Sequence, residues 1–179
     1  MAHSRLFFAL WPDPETRQTL ADLSQNIAVN GCAFVQPHNF HVTLVFLGCA
    51  DASAIKQAAC GITAPPFTLS FGRLSYWQKP RILCLTSPQT VPEAALALTG
   101  ALEMAAAQCG LRTDTRPYTP HITLARHAGY VPETTIEPLI WRAESFCLVE
   151  SCSEADGVHY RVIEQWPLTN PAANSAQSL

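Results

Sequence analysis

Apolar residues fall along this chain in two rhythms. Runs of about four to eight apolar or alternating residues predict strands, and longer stretches with apolar residues three and four apart predict helices. Arg5 to Trp11 (RLFFALW) is rich in large apolar side chains and reads as a first strand. The stretch DPETRQTLADLSQNIA follows, opening on an Asp-Pro helix start and carrying Leu20, Leu23 and Ile27 at helical spacing. A strand over His41 to Leu47, closed by Gly48, comes next, then a short helix from about Ala52 to Cys60 and a strand FTLSFGRLSYW. RILCLTS reads as a strand, and the alanine-rich stretch opened by Pro92 as a helix running to about Cys109 with Gly110 as its stop. HITLAR predicts a further strand, as do stretches within WRAESFCLVES and VHYRVIEQW. Residues 1–170 carry all of these elements, whereas 171–179 have nothing to bury and are expected to be flexible.

The order folds in half. RLFFAL, a helix, HVTL and FTLSF make one unit; RILCLT, a helix, HITL and SFCLV make another. Their first arginines, Arg5 and Arg81, stand at nearly the same distance from the histidines His41 and His121, which indicates an internal duplication. The expected fold is α+β: a single bilobal domain over 1–170, its two intertwined lobes related by a pseudo-two-fold axis, with mixed or antiparallel sheets around a central cleft.

The duplicated tetrapeptide is H-x-T-L, at 41–44 and 121–124. With six His, fifteen Thr and nineteen Leu, one copy is expected only about 0.05 times by chance, so two copies carry information. Side chains alternate along a strand, which puts His41 and Thr43 on one face and Val42 and Leu44 on the other; the second motif divides in the same way. The aliphatic face belongs to the core. The His/Thr face must meet water, a partner or a ligand, because burying it unsatisfied is costly. Across a two-fold cleft, two imidazoles and two hydroxyls would face each other. That set suits displacement at phosphorus: imidazole takes up or gives a proton near neutral pH, and threonine hydroxyls donate to non-bridging oxygens where negative charge gathers.

Composition narrows this picture. With 48% hydrophobic and 14% charged residues the chain is of globular type, and no apolar run approaches the roughly 20 residues that span a bilayer. A net charge of −3 excludes a broadly basic surface for long nucleic acid but leaves room for a local site gripping one phosphate. Seven cysteines form no C-x-x-C and are odd in number, which points to buried reduced thiols and a cytoplasmic protein. His38 and His41 lie close in sequence, with no further ligands at metal-site spacing, so no metal and no cofactor are expected. His3, His127 and His159 read as surface residues.

These motifs resemble those of the two-histidine (2H) phosphoesterase superfamily, in particular the RNA 2′,3′-cyclic phosphodiesterases, also called 2′-5′ RNA ligases. RLFFAL, HNFHVTLVFLG, RPYTPHITLAR and GVHYRVIEQWPL carry the likeness over nearly the whole chain. The resemblance implies opening of a 2′,3′-cyclic phosphate at an RNA end to leave a 2′-phosphate. It implies that His41 donates a proton to the 3′-oxygen, that His121 accepts one from water, and that Thr43 and Thr123 contact the phosphate. Arg126 is similar to a family residue near the substrate, although strict alternation sets it on the face opposite His121. Phe46 is a candidate either for stacking on a base or for the core, and Tyr118 a candidate for the cleft rim. The alternatives left open are a related cyclic nucleotide or 2′-5′ linkage enzyme, and a nucleotide-binding module without turnover. The implied partners are RNA ends or small cyclic nucleotides, with no membrane and no obligate protein partner; a monomer is expected.

Overall fold

The computed structural model describes residues 4–27, 29–155 and 157–170. The expected flexible tail and His3 lie outside these residues. Among the described residues, ten strands and three α-helices follow one another in the order β1 (Ser4–Leu10), α1 (Pro14–Gln25), β2 (Ala33–Phe34), β3 (Val42–Ala50), α2 (Ala52–Ala59), β4 (Phe67–Phe71), β5 (Arg73–Trp77), β6 (Ile82–Thr86), α3 (Glu93–Gln108), β7 (His121–Arg126), β8 (Leu139–Ala143), β9 (Ser145–Glu154) and β10 (Gly157–Pro167). A 3-10 turn, Pro37–Asn39, leads into β3. Among the described residues no helix is long and apolar enough to cross a membrane.

The helices form where local chemistry closes their ends. The Asp13 carboxylate accepts the Thr16 N–H at 2.7 Å ahead of Pro14, and the Asp51 carboxylate accepts the Ser53 N–H at 2.9 Å ahead of α2. Helix α3 ends where Gly110 takes φ 76°, so that the Leu111 N–H reaches back to the Ala106 carbonyl at 3.0 Å.

Every strand pair among the described residues is antiparallel. The large sheet runs β10-β9-β1-β3-β7-β6-β5, with β2 also paired to β7, while β4 and β8 make a separate ribbon. A two-fold axis between β3 and β7 exchanges β1 with β6, β9 with β5, and β4 with β8, the last two pairing with each other. The duplication is therefore real in space, with one change in which strands correspond. FTLSF corresponds to LIWRA of β8, and RLSYW to SFCLV of β9. The reason is Gly72, which splits the expected strand FTLSFGRLSYW in two; a Cβ there would lie 3.4 Å from the Pro138 side chain, and β4 and β5 leave it for different sheets. Gly48 likewise does not close β3. At φ 71° it sits beside a bulge at Leu47, and the strand continues to Ala50.

One face of the large sheet is covered by the helices and by the β4–β8 ribbon. Leu20, Ile55, Leu98 and Leu102 from the helices, with Phe71 and Trp141 from the ribbon, join Leu6, Phe8, Leu10, Leu83, Leu85 and Ile122 in one core. The other face of β1 and β9 holds a smaller cluster of Phe7, Ala9, Cys147 and Val149, bordered by Trp11 and Tyr160. All seven cysteines are free thiols. Burial pushes Cys84 and Cys147 up to about 12, which keeps them neutral core residues.

Candidate active site

The two H-x-T-L motifs meet at the centre of the sheet. Strands β3 and β7 pair at Val42 and Ile122, both fully buried. Continuing that antiparallel register one residue either way sets His41 opposite Thr123 and Thr43 opposite His121, on the face away from the helices. The strands pair at this one position and then separate. The wedge between β3 and the segment leading into β7 is a cleft of about 490 Å³, lined among others by Thr43, Phe46, Trp77, Lys79, Arg116, Tyr118 and His121. That volume is of the size that takes a small ligand.

Each motif then bulges at its leucine. Opposite β1, Phe8 pairs with Val45 and Ala9 with Thr43, so Leu44 is the extra residue. Opposite β6, Leu83 pairs with Ala125 and Cys84 with Thr123, so Leu124 is the extra residue at the equivalent place. Both leucines are buried, and so are the residues after them, Val45 and Ala125. The extra residue reverses the alternation beyond it. Phe46, 60% exposed, thereby turns to the cleft face and lies 6.0 Å from the Phe7 ring. Arg126 turns to that face in the same way, contrary to strict alternation. It pairs opposite Ile82 on the side of the sheet that carries Cys84, Thr86, His121 and Thr123. The Arg126 guanidinium donates to the Tyr160 hydroxyl at 3.4 Å, and its charge is felt at His41.

Both imidazoles are held through Nδ1 by the carbonyl two residues earlier. His41 Nδ1–H donates to the Asn39 carbonyl at 2.7 Å and His121 Nδ1–H to the Thr119 carbonyl at 2.9 Å. A carbonyl only accepts, so in the neutral ring the proton sits on Nδ1 and Nε2 is left with its lone pair. At His41 that lone pair accepts from the Thr43 hydroxyl at 3.1 Å.

The surroundings of the two rings differ. His41 lies in an aromatic box: stacked on Trp11 at 5.9 Å, beside Phe7 at 5.0 Å, and met edge-on by Tyr160 at 5.0 Å. Burial there pushes its pKa from 6.5 down to about 4. The bond to the Asn39 carbonyl opposes this, and the positive charges of His121 and Arg126 add to it. His121 is half-buried, with Trp77 at 4.4 Å; burial lowers its pKa as well, opposed by the bond to Thr119. Burial pushes the Tyr118 phenol up, and its hydroxyl has no hydrogen-bond partner among the described residues.

Several of these groups were not singled out by sequence reasoning. Trp11, Phe7 and Trp77 lie in strands that read only as apolar runs. Asn39 and Tyr160 stand inside quoted motifs, but the contact between them is made by folding alone. His159, expected as a surface residue, stacks on His38 at 5.3 Å, and His127 occupies a left-handed turn at φ 59°.

Three comparisons bear on this site. The profile of the 2′-5′ RNA ligase superfamily matches residues 11–151. The RNA 2′,3′-cyclic phosphodiesterase of Escherichia coli is 30% identical over 92% of this chain and 97% of its own, and that of Thermus thermophilus is 28% identical over 92% and 90%. Among solved structures, E. coli LigT in its apo form superposes with a TM-score of 0.83 at 29% identity, covering 95% of this chain and 100% of that one. LigT complexed with 3′-AMP gives 0.81 at 28% identity, over 94% and 99%. With its motifs, fold and relatives in agreement, the chain belongs to the 2′-5′ RNA ligase superfamily.

Proposed function

We propose that this protein hydrolyses 2′,3′-cyclic phosphate ends of RNA to 2′-phosphates, using His41 and His121 as its proton-transfer pair. The observation that supports this reading is the pairing of Val42 with Ile122, a register that, carried one residue either way, puts the two His-Thr pairs on neighbouring strands and on one face of the sheet. The relatives named as RNA 2′,3′-cyclic phosphodiesterases, and the nucleotide complex of LigT, support the choice of substrate.

The cyclic phosphodiester sits with its non-bridging oxygens against the Thr43 and Thr123 hydroxyls, and the cation of Arg126 lies on the same face. Water attacks phosphorus as His121 Nε2 takes its proton. The P–O3′ bond breaks, O3′ takes a proton from His41 Nε2, and a 2′-phosphate with a free 3′-hydroxyl remains. For His41 to donate, it must first be charged, and its burial keeps it neutral at pH 7. The phosphodiester anion supplies the difference, since a negative charge beside the ring favours its protonated form. Substrate binding and proton uptake are thus one event. Phe46 and Tyr118, on the wall of the same wedge, flank the sugar and base. The work is done by a monomer in the cytoplasm, in keeping with seven free thiols.

The test is product analysis on an oligoribonucleotide ending in a 2′,3′-cyclic phosphate. The expected product carries a 2′-phosphate only. A 3′-phosphate product would overturn the assigned leaving group, and an untouched substrate across pH 5 to 8 would overturn the activity.

A further inference from the structure

The backbone carbonyl that orients His41 belongs to Asn39, a residue 7% exposed whose side chain does something else. Its Nδ2–H donates to the Val158 carbonyl at 2.8 Å, and its Oδ1 accepts the Tyr160 N–H at 3.1 Å. Val158 and Tyr160 lie on β10, the edge strand of the sheet, and the backbone groups of alternate residues point outward from such an edge. The carboxamide has the same donor and acceptor as a peptide unit, so it completes one rung of a ladder where no strand follows. A side chain with only an acceptor, or with neither, leaves one or both of these backbone groups unpaired.

This rung ties together three side chains on the same face of the sheet. Through its carbonyl Asn39 fixes the His41 ring, and through its carboxamide it fixes the backbone of Tyr160. The Tyr160 ring in turn meets His41 edge-on at 5.0 Å, and its hydroxyl accepts from Arg126. At the matching place before His121 stands Thr119, whose hydroxyl, among the described residues, donates to the Pro117 carbonyl at 3.4 Å within its own loop. The anchor therefore exists on one side of the site and not on the other.

We propose that Asn39 is a positioning residue for the reaction: by locking the turn 37–39 to β10 it holds the His41 imidazole, the Tyr160 ring and the Arg126 guanidinium in one arrangement. The proposal rests on the phosphodiesterase reading for its kinetic arm and is independent of it for its spectroscopic arm.

Asn39→Ala and Asn39→Ser are compared with wild type on a cyclic-ended oligoribonucleotide, with kcat and KM resolved, and the His41 imidazole is titrated by NMR without substrate. Displacing a catalytic group by an ångström costs up to about 100-fold. The expected result is a kcat loss of about 10- to 100-fold with KM changed far less, together with a His41 titration that moves upward from about 4 as the aromatic box loosens. A lowered melting temperature with unchanged kcat per folded molecule and an unchanged His41 titration would make Asn39 merely structural and overturn the proposal. Should neither variant fold, the wild-type spectrum decides. His41 must carry its proton on Nδ1, shielded from exchange with water; a ring protonated on Nε2 or exchanging freely overturns the proposal. A wild type that titrates as expected but hydrolyses nothing would remove the proposed function and leave the positioning of His41 standing.

Discussion

The two halves of the molecule carry the same four-residue motif in the same bulged strand, yet they treat its histidine differently. In the N-terminal half His41 is enclosed by Phe7, Trp11 and Tyr160 and tied by Asn39 to the edge strand. In the C-terminal half His121 lines the open cleft beside Trp77. The pseudo-two-fold explains why. It exchanges β1 with β6 and β9 with β5, but β10 has no counterpart beyond β5. Tyr160 and both backbone partners of Asn39 lie on that unmatched strand. Where Phe7 packs in one half, the register puts Ile82 in the other. A duplication supplies two equal histidines; of the two strands without a counterpart, β2 and β10, it is β10 that makes their surroundings unequal, and inequality is what an acid and a base acting in one step require.

The largest way to break this comparison is to delete each ring. His41→Ala and His121→Ala should each lower kcat by about 10²- to 10⁴-fold on a cyclic-ended oligonucleotide, the usual size of a lost general acid or base. The wild type should give a bell-shaped pH profile, whose two apparent values belong to the coupled pair. Each variant should lose a different limb. Full activity in either variant, or loss of the same limb in both, would mean that the halves are not divided into acid and base.

How far the sequence foretold this division depends on what each feature is made of. The strands and the facing of His41 with Thr43 were legible because period-2 alternation is a local property. The joining of the two motifs was legible because a repeat implies an axis. The faces of Arg126 and Phe46 were not, because alternation carries a residue only as far as the next bulge. Leu44 and Leu124 give no sign in sequence that they are extra; a leucine in a strand reads as core, and both are in fact buried. Gly72 did give a sign, since an isolated glycine within a strand pattern marks a break or a close approach. The role of Asn39 was out of reach for another reason: its partners Val158 and Tyr160 stand about 120 residues away. A side chain that completes a sheet edge has no local pattern at all.

A second, smaller effect separates the halves without any substrate. The folded chain holds His41 near 4 against an ordinary 6.5, so it disfavours the proton that the unfolded chain accepts. Above about pH 6.5 neither state carries that proton, and the stability is at its full value. As pH falls from 6.5 toward 4 the unfolded state takes up the proton and the native state does not, so stability declines. Below about 4 both states hold it and the decline from this group ends. The shift corresponds to a loss on the order of 3 kcal/mol. Denaturant unfolding across pH 4 to 7 should show this slope in wild type. His41→Asn should flatten it, and His121→Asn should flatten it less. Equal slopes in both variants would mean that the aromatic box does not set the two rings apart.

The smallest effect concerns the residues that the two bulges turn outward, Phe46 on one side and Arg126 on the other. They are equivalent by the axis and opposite in chemistry, an apolar ring against a cation. The cleft is lined by Phe46 and Trp77, so on the proposed reading the base of a nucleotide would lie on the Phe46 flank and its phosphate toward the Arg126 flank. A base stacked on an aromatic side chain contributes about 1–3 kcal/mol by alanine substitution. Phe46 is well exposed and also leans on Phe7, so part of its surface stays covered without a ligand, and the low end of that range applies. Phe46→Ala should raise KM for a cyclic-ended oligonucleotide about fivefold and leave kcat within a factor of about two, because the ring carries no proton-transfer or hydrogen-bonding group. Its thermal stability should hardly change. A fall in kcat with constant KM would instead put Phe46 in contact with the reacting atoms, and the two outward-turned residues would then share one role across the axis.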